Sequence, residues 1–242
     1  MINKNSTVYT FGFALVVCFA CSLSLAVVSE GLRPQREINE ELDVKKNILK
    51  AVELKTPVTP SMKSQEILEL YDAKIEEKVI SLDGQMIGDK KPSEIKDGEE
   101  LYPLYVYKEN GQIVSYAFPV YGKGLWSTIY GYLALEADGT TVRGVTFYKH
   151  GETPGLGGEV EKVWFQENFK GKKIWDAKTQ TLHPVAVVKG KVADKVSKTE
   201  QKFYVDGISG ATMTGQGVTD FLDRWIRVYE PYFQNIRNTQ TP

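Results

Sequence analysis

The sequence predicts an α+β protein: a single N-terminal transmembrane helix followed by a soluble domain with a mixed, mainly antiparallel sheet flanked by helices. Three observations carry this reading. Residues 5–29 hold no charged side chain, although a quarter of the 242 residues are charged overall. Apolar residues recur at three- and four-residue steps up to about residue 79, then at every second position from about residue 102, the periods of helices and strands. The strand-like runs are joined by Glu109-Asn110-Gly111 and Ala137-Asp138-Gly139, turn signals of antiparallel hairpins.

The elements follow in order. Behind a short segment, 1–7, a helix is expected over 8–28, because Phe11 to Val28 is apolar apart from Gly12, Ser22 and Ser24. Roughly 20 such residues, rising about 1.5 Å each, match a hydrocarbon core of about 30 Å. A cleaved signal peptide also carries an apolar run behind a basic start, but that run is usually about 7 to 15 residues. The length therefore favours a retained anchor. Cys18 and Cys21 fall inside it and read as un-ionised thiols among apolar groups, with no metal or redox role. Orientation is left open by charge: Lys4 precedes the anchor, while Arg33, Arg36, Lys45 and Lys46 follow it among acids. A long following segment translocates largely regardless of such charges.

Residues 29–100 read as a helical linker leading into the soluble domain. An amphipathic helix is expected over Pro34–Leu54, hinged near Pro34, with Ile38, Leu42, Ile48, Leu49, Val52 and Leu54 along one face. The run Thr56 to Ser61 breaks it, and a second helix is expected from about Lys63 to Val79. Residues 101–236 form the main domain, with 237–242 as a tail. Its strands are expected over Tyr102–Lys108, Gln112–Val120, Tyr130–Glu136 and Thr141–Tyr148. A short helix, Val160–Phe169, follows, then strands Pro184–Lys189 and Lys202–Val205. The last helix starts near Thr212 and reaches about Ile236, with Pro231 kinking or breaking it.

Composition excludes several functions. A net charge of −1 supplies no basic field for phosphate backbones, so no nucleic-acid partner is expected. With two cysteines, both in the apolar span, and two histidines, a disulfide scaffold and a Cys/His zinc site are both nearly excluded. No metal site is expected. Redox work here requires a cofactor that needs neither residue.

Two loops stand apart. His150 to Glu159 (HGETPGLGGE) lies between a strand and a helix, and Asp206 to Gly217 (DGISGATMTGQG) lies before the last helix. Each places glycines ahead of a helix start, where free N–H groups and the helix dipole favour an anion. Taken singly, each is explained by tight turns, with Ser209, Thr212 or Thr214 as an N-cap. Together they favour a bound phosphate ester. Neither is a P-loop, since no GKS or GKT is present and the GxGxxG spacing is absent.

Asp206-Gly-Ile-Ser-Gly-Ala-Thr-Met-Thr resembles the flavinylation motif of FMN-binding domains, in which the threonine of S/T-G-A-T carries FMN through a phosphoester. Asp206, Ser209, Gly210 and Ala211 match that motif, and the resemblance makes Thr212 the modified residue. HGETPGLGGE, Gly122 to Gly131 (GKGLWSTIYG) and the post-anchor QREINEELDVKKNILKAV are similar to the NqrC family, the C-type subunits of Na⁺-translocating NADH:quinone reductases (Nqr). The G-type subunit of the related Rnf complex shares the flavinylation motif and an ETPGLG-like loop; the fuller HGETPGLGGE and the GLWST segment favour the Nqr family.

The resemblance implies a covalent FMN, installed by a separate FMN transferase from FAD, because an unactivated threonine hydroxyl is a poor nucleophile. It implies partner subunits of A, B, D, E and F type in a bacterial inner membrane, with the soluble domain periplasmic. It also implies electron transfer from an iron centre in neighbouring subunits to the FMN of the B-type subunit. A flavin ring needs an apolar slot with a few polar contacts. Leu125, Trp126 and Leu156 are candidate walls; Ser127, Glu152 and Thr153 are candidate hydrogen-bonding groups beside the turn at Gly155. Trp126 by its size reads more readily as core than as a stacking plate. Thr214 has two readings, phosphate ligand and cap. Asp206 is a candidate for orienting the acceptor hydroxyl or a metal during attachment. His150 has two readings, a flavin contact and a cap on a strand end, of which the cap is preferred; His183 reads as a surface residue. With no catalytic base evident, the chain reads as an electron carrier; a flavin-free, membrane-tethered assembly module is the alternative from another class.

Overall fold

The structure, a computed structural model, describes residues 7–53, 59, 62–88 and 90–240, and divides into two units, 1–44 and 45–242. Residues 1–6 of the expected N-terminal segment, Leu54 at the end of the expected Pro34–Leu54 helix, most of the Thr56–Ser61 break and the last two residues of the expected tail lie outside the described residues.

In the first unit, helix α1 (Thr7–Gly31) buries none of its residues and is long and apolar enough to cross a membrane. Cys18 and Cys21 are free thiols on it. Helix α2 (Arg33–Ala51) takes up Pro34 in its first turn, where a missing N–H costs no intrahelical bond.

The second unit begins with the last turns of α2, where Asn47, Ile48, Leu49 and Ala51 are buried. Helix α3 (Ser64–Lys74) follows, and here the structure corrects the expectation of a helix to Val79. Ile75–Ser81 is strand β1, paired along its length with β2 (Leu101–Glu109). Pairing buries Ile75, Val79 and Ile80, and this tertiary gain outweighs the helical propensity of the Glu-Glu-Lys run.

Strands β3 (Gln112–Lys123), β4 (Thr128–Glu136) and β5 (Val142–Lys149) complete a five-stranded sheet in the order β1-β2-β3-β4-β5, antiparallel throughout. Parallel pairing is confined to a separate two-stranded piece, β8 (Ala186–Val187) with β9 (Tyr204–Val205). A small hairpin, β6 (Trp175–Asp176) and β7 (Thr181–Leu182), precedes it. The expected helix over Val160–Phe169 is a 3₁₀ turn, Gly157–Glu161, followed by α4 (Val163–Glu167). A further turn of helix, α5 (Val192–Lys195), was not expected.

Helix α6 (Thr212–Gln240) runs through Pro231 without a break, so of the expected kink or break the break does not occur. Tyr232 and Phe233, just beyond the proline, both pack edge-on against Tyr116, with ring centres 5.8 Å apart. Burial of those two rings holds the last turns helical.

Strand alternation sends one set of side chains to each face. Leu104, Val106, Phe118, Leu133 and Phe147 meet α6, where Phe118 stacks on Tyr229 at 4.2 Å. Tyr105, Tyr107 and Tyr132 point the other way, under the end of α2 and α3. The fully buried Tyr229 hydroxyl donates to the Pro103 carbonyl at 2.7 Å. Tyr229→Phe is expected to cost about 1 kcal/mol, the net worth of one such bond, measurable by urea unfolding.

This topology positions the loops. In an antiparallel meander the end of β3, the start of β4 and the end of β5 lie at one edge, so segments 124–127 and 150–158 emerge together. The start of α6 joins them because two glycines let it approach. A side-chain carbon at Gly217 would sit 2.3 Å from the Lys123 carbonyl oxygen, and one at Gly122 would sit 2.4 Å from Phe221 Cβ.

Candidate functional site

At that edge the chain brings together Gly124 to Ser127, His150 to Gly158 and Ser209 to Thr214. Their meeting point is Glu152, only 5% exposed. Its Oε1 accepts from the N–H groups of Trp126 (2.9 Å) and Ser127 (3.1 Å). Its Oε2 accepts from the Leu125 N–H (3.1 Å) and the Thr214 hydroxyl (2.7 Å). Burial pushes such a carboxyl upward, but the Thr214 hydroxyl and the three N–H donors outweigh it and hold Glu152 below the usual carboxylate range. It is therefore an anion at neutral pH. Space for it comes from glycine: a side-chain carbon at Gly124 would lie 2.7 Å from Oε1, and one at Gly157 would lie 2.7 Å from Oε2.

This geometry revises several expected roles. Glu152 does not offer its carboxylate at the loop surface; the acid is turned inward and occupied. Thr214, 1% exposed, neither caps the helix nor faces the surface, because its hydroxyl is committed to Glu152. Ser127 Oγ accepts the Gly151 N–H, tying the two upper loops. The Thr153 carbonyl closes the glycine turn by accepting from Leu156 and Gly158 at 3.1 and 2.9 Å, while Gly155 takes a positive φ of 75° that its turn requires.

Thr212 is the first residue of α6 and is exposed, flanked by exposed Ser209, Gly210 and Met213, with Ala211 buried beneath. Gly210 has a φ of 74°, and a side-chain carbon there would fall 2.8 Å from Leu156 Cδ2, so Leu156 closes over the motif. On its other side Thr212 lines a small cleft with Val187, Lys189, Gly207 and Gln216. A side-chain carbon at Gly207 would fall 2.1 Å from the Val188 carbonyl oxygen, which keeps this wall all backbone.

Leu125, Trp126, Leu156 and Met213 all stand exposed. Trp126, 71% exposed, is not a core residue. Its backbone is held by Glu152 on a loop that the core cannot reach, so its indole remains at the surface.

Asp206 is engaged by the neighbouring turn. Its carboxylate takes the Val192 N–H at 2.8 Å and the Lys191 ammonium at 2.9 Å. Burial raises this carboxyl, yet those two donors and the nearby lysine charges hold it below its ordinary value. It fixes the 190–192 turn, where Gly207 N–H also bonds the Gly190 carbonyl.

His150 braces the loop that follows β5, with Nδ1 accepting the Glu152 N–H at 3.3 Å and Nε2 lying 3.4 Å from Glu161. His183 is half-buried, not a surface residue, because its ring stacks on buried Phe203 at 4.0 Å. Sequence reasoning missed the structural roles of Gly124, Gly157 and Gly217. The only signal for them is a surplus of glycine beside the two loops, which cannot say what each glycine approaches.

An exposed hydroxyl at a helix start, a glycine-lined backbone cleft and a rim of exposed apolar side chains fit an anionic group that carries a flat apolar ring. Among the described residues, no group of three or more His, Cys, Asp or Glu could hold a metal ion.

Comparison with known proteins agrees with that fit. The family model of the FMN-binding domain matches residues 124–227. The C-type subunit of the Na(+)-translocating NADH-quinone reductase of Pseudomonas aeruginosa is 34% identical, covering 98% of this chain and 98% of that protein. The protein of the same name from Pasteurella multocida is 33% identical, over 93% and 91%. Two crystal structures share the fold. The C-type subunit of the same reductase from Parabacteroides distasonis superposes with a TM-score of 0.71 at 32% identity, covering 84% of this chain and 96% of that one. NqrC of Shewanella oneidensis gives 0.67 at 28% identity, over 83% and 99%.

Proposed function

Because this chain belongs to the NqrC family of Na(+)-translocating NADH-quinone reductase subunits, we propose that it is a membrane-anchored electron carrier with FMN joined covalently to Thr212. The observation that carries the attachment site is the exposure of Thr212 at the first turn of α6 while the neighbouring Thr214 is buried and engaged. The phosphoester at Thr212 would face the unpaired N–H groups that every helix start presents, and the helix dipole favours its negative charge. Leu125, Trp126 and Leu156 supply apolar surface for the ring, with Thr153 and Gly155 on the adjoining turn. Ser209, Gly210 and Ala211 give the acceptor its backbone, and Asp206 holds the flanking turn.

FMN bound there supplies one- and two-electron redox chemistry. The chain's own work is to tether, orient and partly cover. Its partners in this reading are an iron centre in neighbouring membrane subunits as donor and the FMN of the B-type subunit as acceptor, within an assembly that also contains the A, D, E and F types. Attachment requires an FMN transferase. The α1 helix anchors the chain in the bacterial inner membrane, with the soluble domain on the periplasmic side.

The test is the intact mass of the full chain co-expressed with an FMN transferase and denatured before measurement. The expected gain is one FMN less water, with the yellow colour retained. An unmodified mass overturns the proposal.

A further inference from the structure

We propose that Glu152 is a positioning residue: one buried carboxylate locks the Leu125–Ser127 loop to the first turn of α6, and so sets where the apolar rim stands relative to Thr212. This rests on the reading of Thr212 as the flavin attachment point.

The geometry is the argument. The donors to Glu152 come from segments 25 to 27 residues before it and 62 residues after it, so the acid joins parts of the chain that share no hairpin. Three consecutive backbone N–H groups, those of Leu125, Trp126 and Ser127, converge on it. A run of N–H groups turned to one point is an anion nest, and here the anion is part of the chain. The acid is also held from behind, because its own N–H is bound by His150, whose ring reaches Glu161. Gly124 and Gly157 leave no room for a side-chain carbon on either side of the carboxylate, so its placement has little slack. Thr214 sits two residues after Thr212 on the same helical turn. Whatever fixes the Thr214 hydroxyl also fixes the rotation of the turn that carries Thr212.

A residue that merely stabilised the fold would, when changed, loosen every element alike. A positioning residue loosens the two segments it joins and alters the surroundings of the flavin. Glu152→Gln keeps the shape but replaces one acceptor oxygen with a donor, which must then face an N–H or hydroxyl donor. Thr214→Val keeps the shape and removes the hydroxyl.

The experiment uses the full chain in detergent, without and with an FMN transferase. In the unloaded chain, Glu152→Gln is expected to speed amide hydrogen exchange at Leu125–Ser127 by at least tenfold more than at Phe118 and Leu133 in the sheet. In the loaded chain, the flavin's visible circular dichroism is expected to change and its midpoint potential to rise, since a nearby negative charge is removed. Thr214→Val should reproduce part of both changes, and the double variant should go no further than Glu152→Gln alone. Equal acceleration at all these amides, with unchanged flavin dichroism and potential, overturns the proposal. If Glu152→Gln fails to fold, Thr214→Val is judged by the same measurements. An unmodified wild-type mass would sink the flavin reading and the positioning role that rests on it, whereas the exchange measurement, which needs no flavin, reads separately whether Glu152 locks the two segments.

Discussion

Thr212→Ala is expected to abolish covalent flavin in the full chain co-expressed with an FMN transferase, while leaving the fold intact. Three hydroxyls lie in the Ser209–Thr214 stretch, and they differ in access. Thr214 is buried and donates to Glu152, so its oxygen is held inside the loop cluster. Ser209 and Thr212 are both exposed. Of these two, only Thr212 belongs to α6, where a phosphoester would meet the N–H groups of the first turn. Alanine at an exposed first-turn position changes stability by no more than about 0.5 kcal/mol, so loss of flavin would not be a consequence of unfolding. In-gel flavin fluorescence after denaturation reads the first quantity and thermal unfolding the second. Fluorescence that survives in Thr212→Ala would move the attachment to Ser209 and refute the assignment.

Gly217→Ala is expected to lower stability by about 2 kcal/mol and to reduce flavin incorporation with it. Two effects compete at this position. Replacing a helical glycine by alanine ordinarily helps, by about 1 kcal/mol, through backbone entropy and helix propensity. Here the new carbon would lie 2.3 Å from the Lys123 carbonyl oxygen and 3.1 Å from Gly124 Cα, both backbone atoms that cannot rotate aside. Overpacking of this kind costs about 1 to 3 kcal/mol or more, and the clash wins because relief requires α6 and the end of β3 to separate. That separation pulls the loop bearing Trp126 away from Thr212. Gly215→Ala is the control, since its carbon would meet only the Val187 side chain, at 3.1 Å. Urea midpoints of the two variants decide the matter; a Gly217→Ala chain as stable as wild type would show that the close approach is not tight.

Much of the fold is legible in the sequence because it rests on local period and turn chemistry. The apolar run gives α1, and the turns at Asn110-Gly111 and Asp138-Gly139 give the antiparallel β2–β3 and β4–β5 pairs. Expectation fails where tertiary contact overrides local preference. Ile75–Ser81 carries helix-forming residues but is drawn into the sheet edge by β2, and Pro231 is carried through α6 by the rings behind it. The same limit applies to the site. Its loops are visible as glycine clusters, and Thr212 through resemblance to a known motif, but the inward turn of Glu152 and the exposure of Trp126 are not.

The sequence by itself determines the partition of this protein: an apolar helix, then an α+β domain with two glycine-rich loops, the second leading into a helix start. These are properties of short stretches, set by side-chain polarity, period and turn preference. Only the tertiary structure decides which hydroxyl is free and which is engaged, and that Asp206 braces a turn. It also decides that Glu152, far from Ser127 and farther from Thr214 along the chain, binds both. The physical reason is that a hydrogen bond between distant segments depends on where the sheet edge and α6 bring them, and no local pattern encodes that meeting.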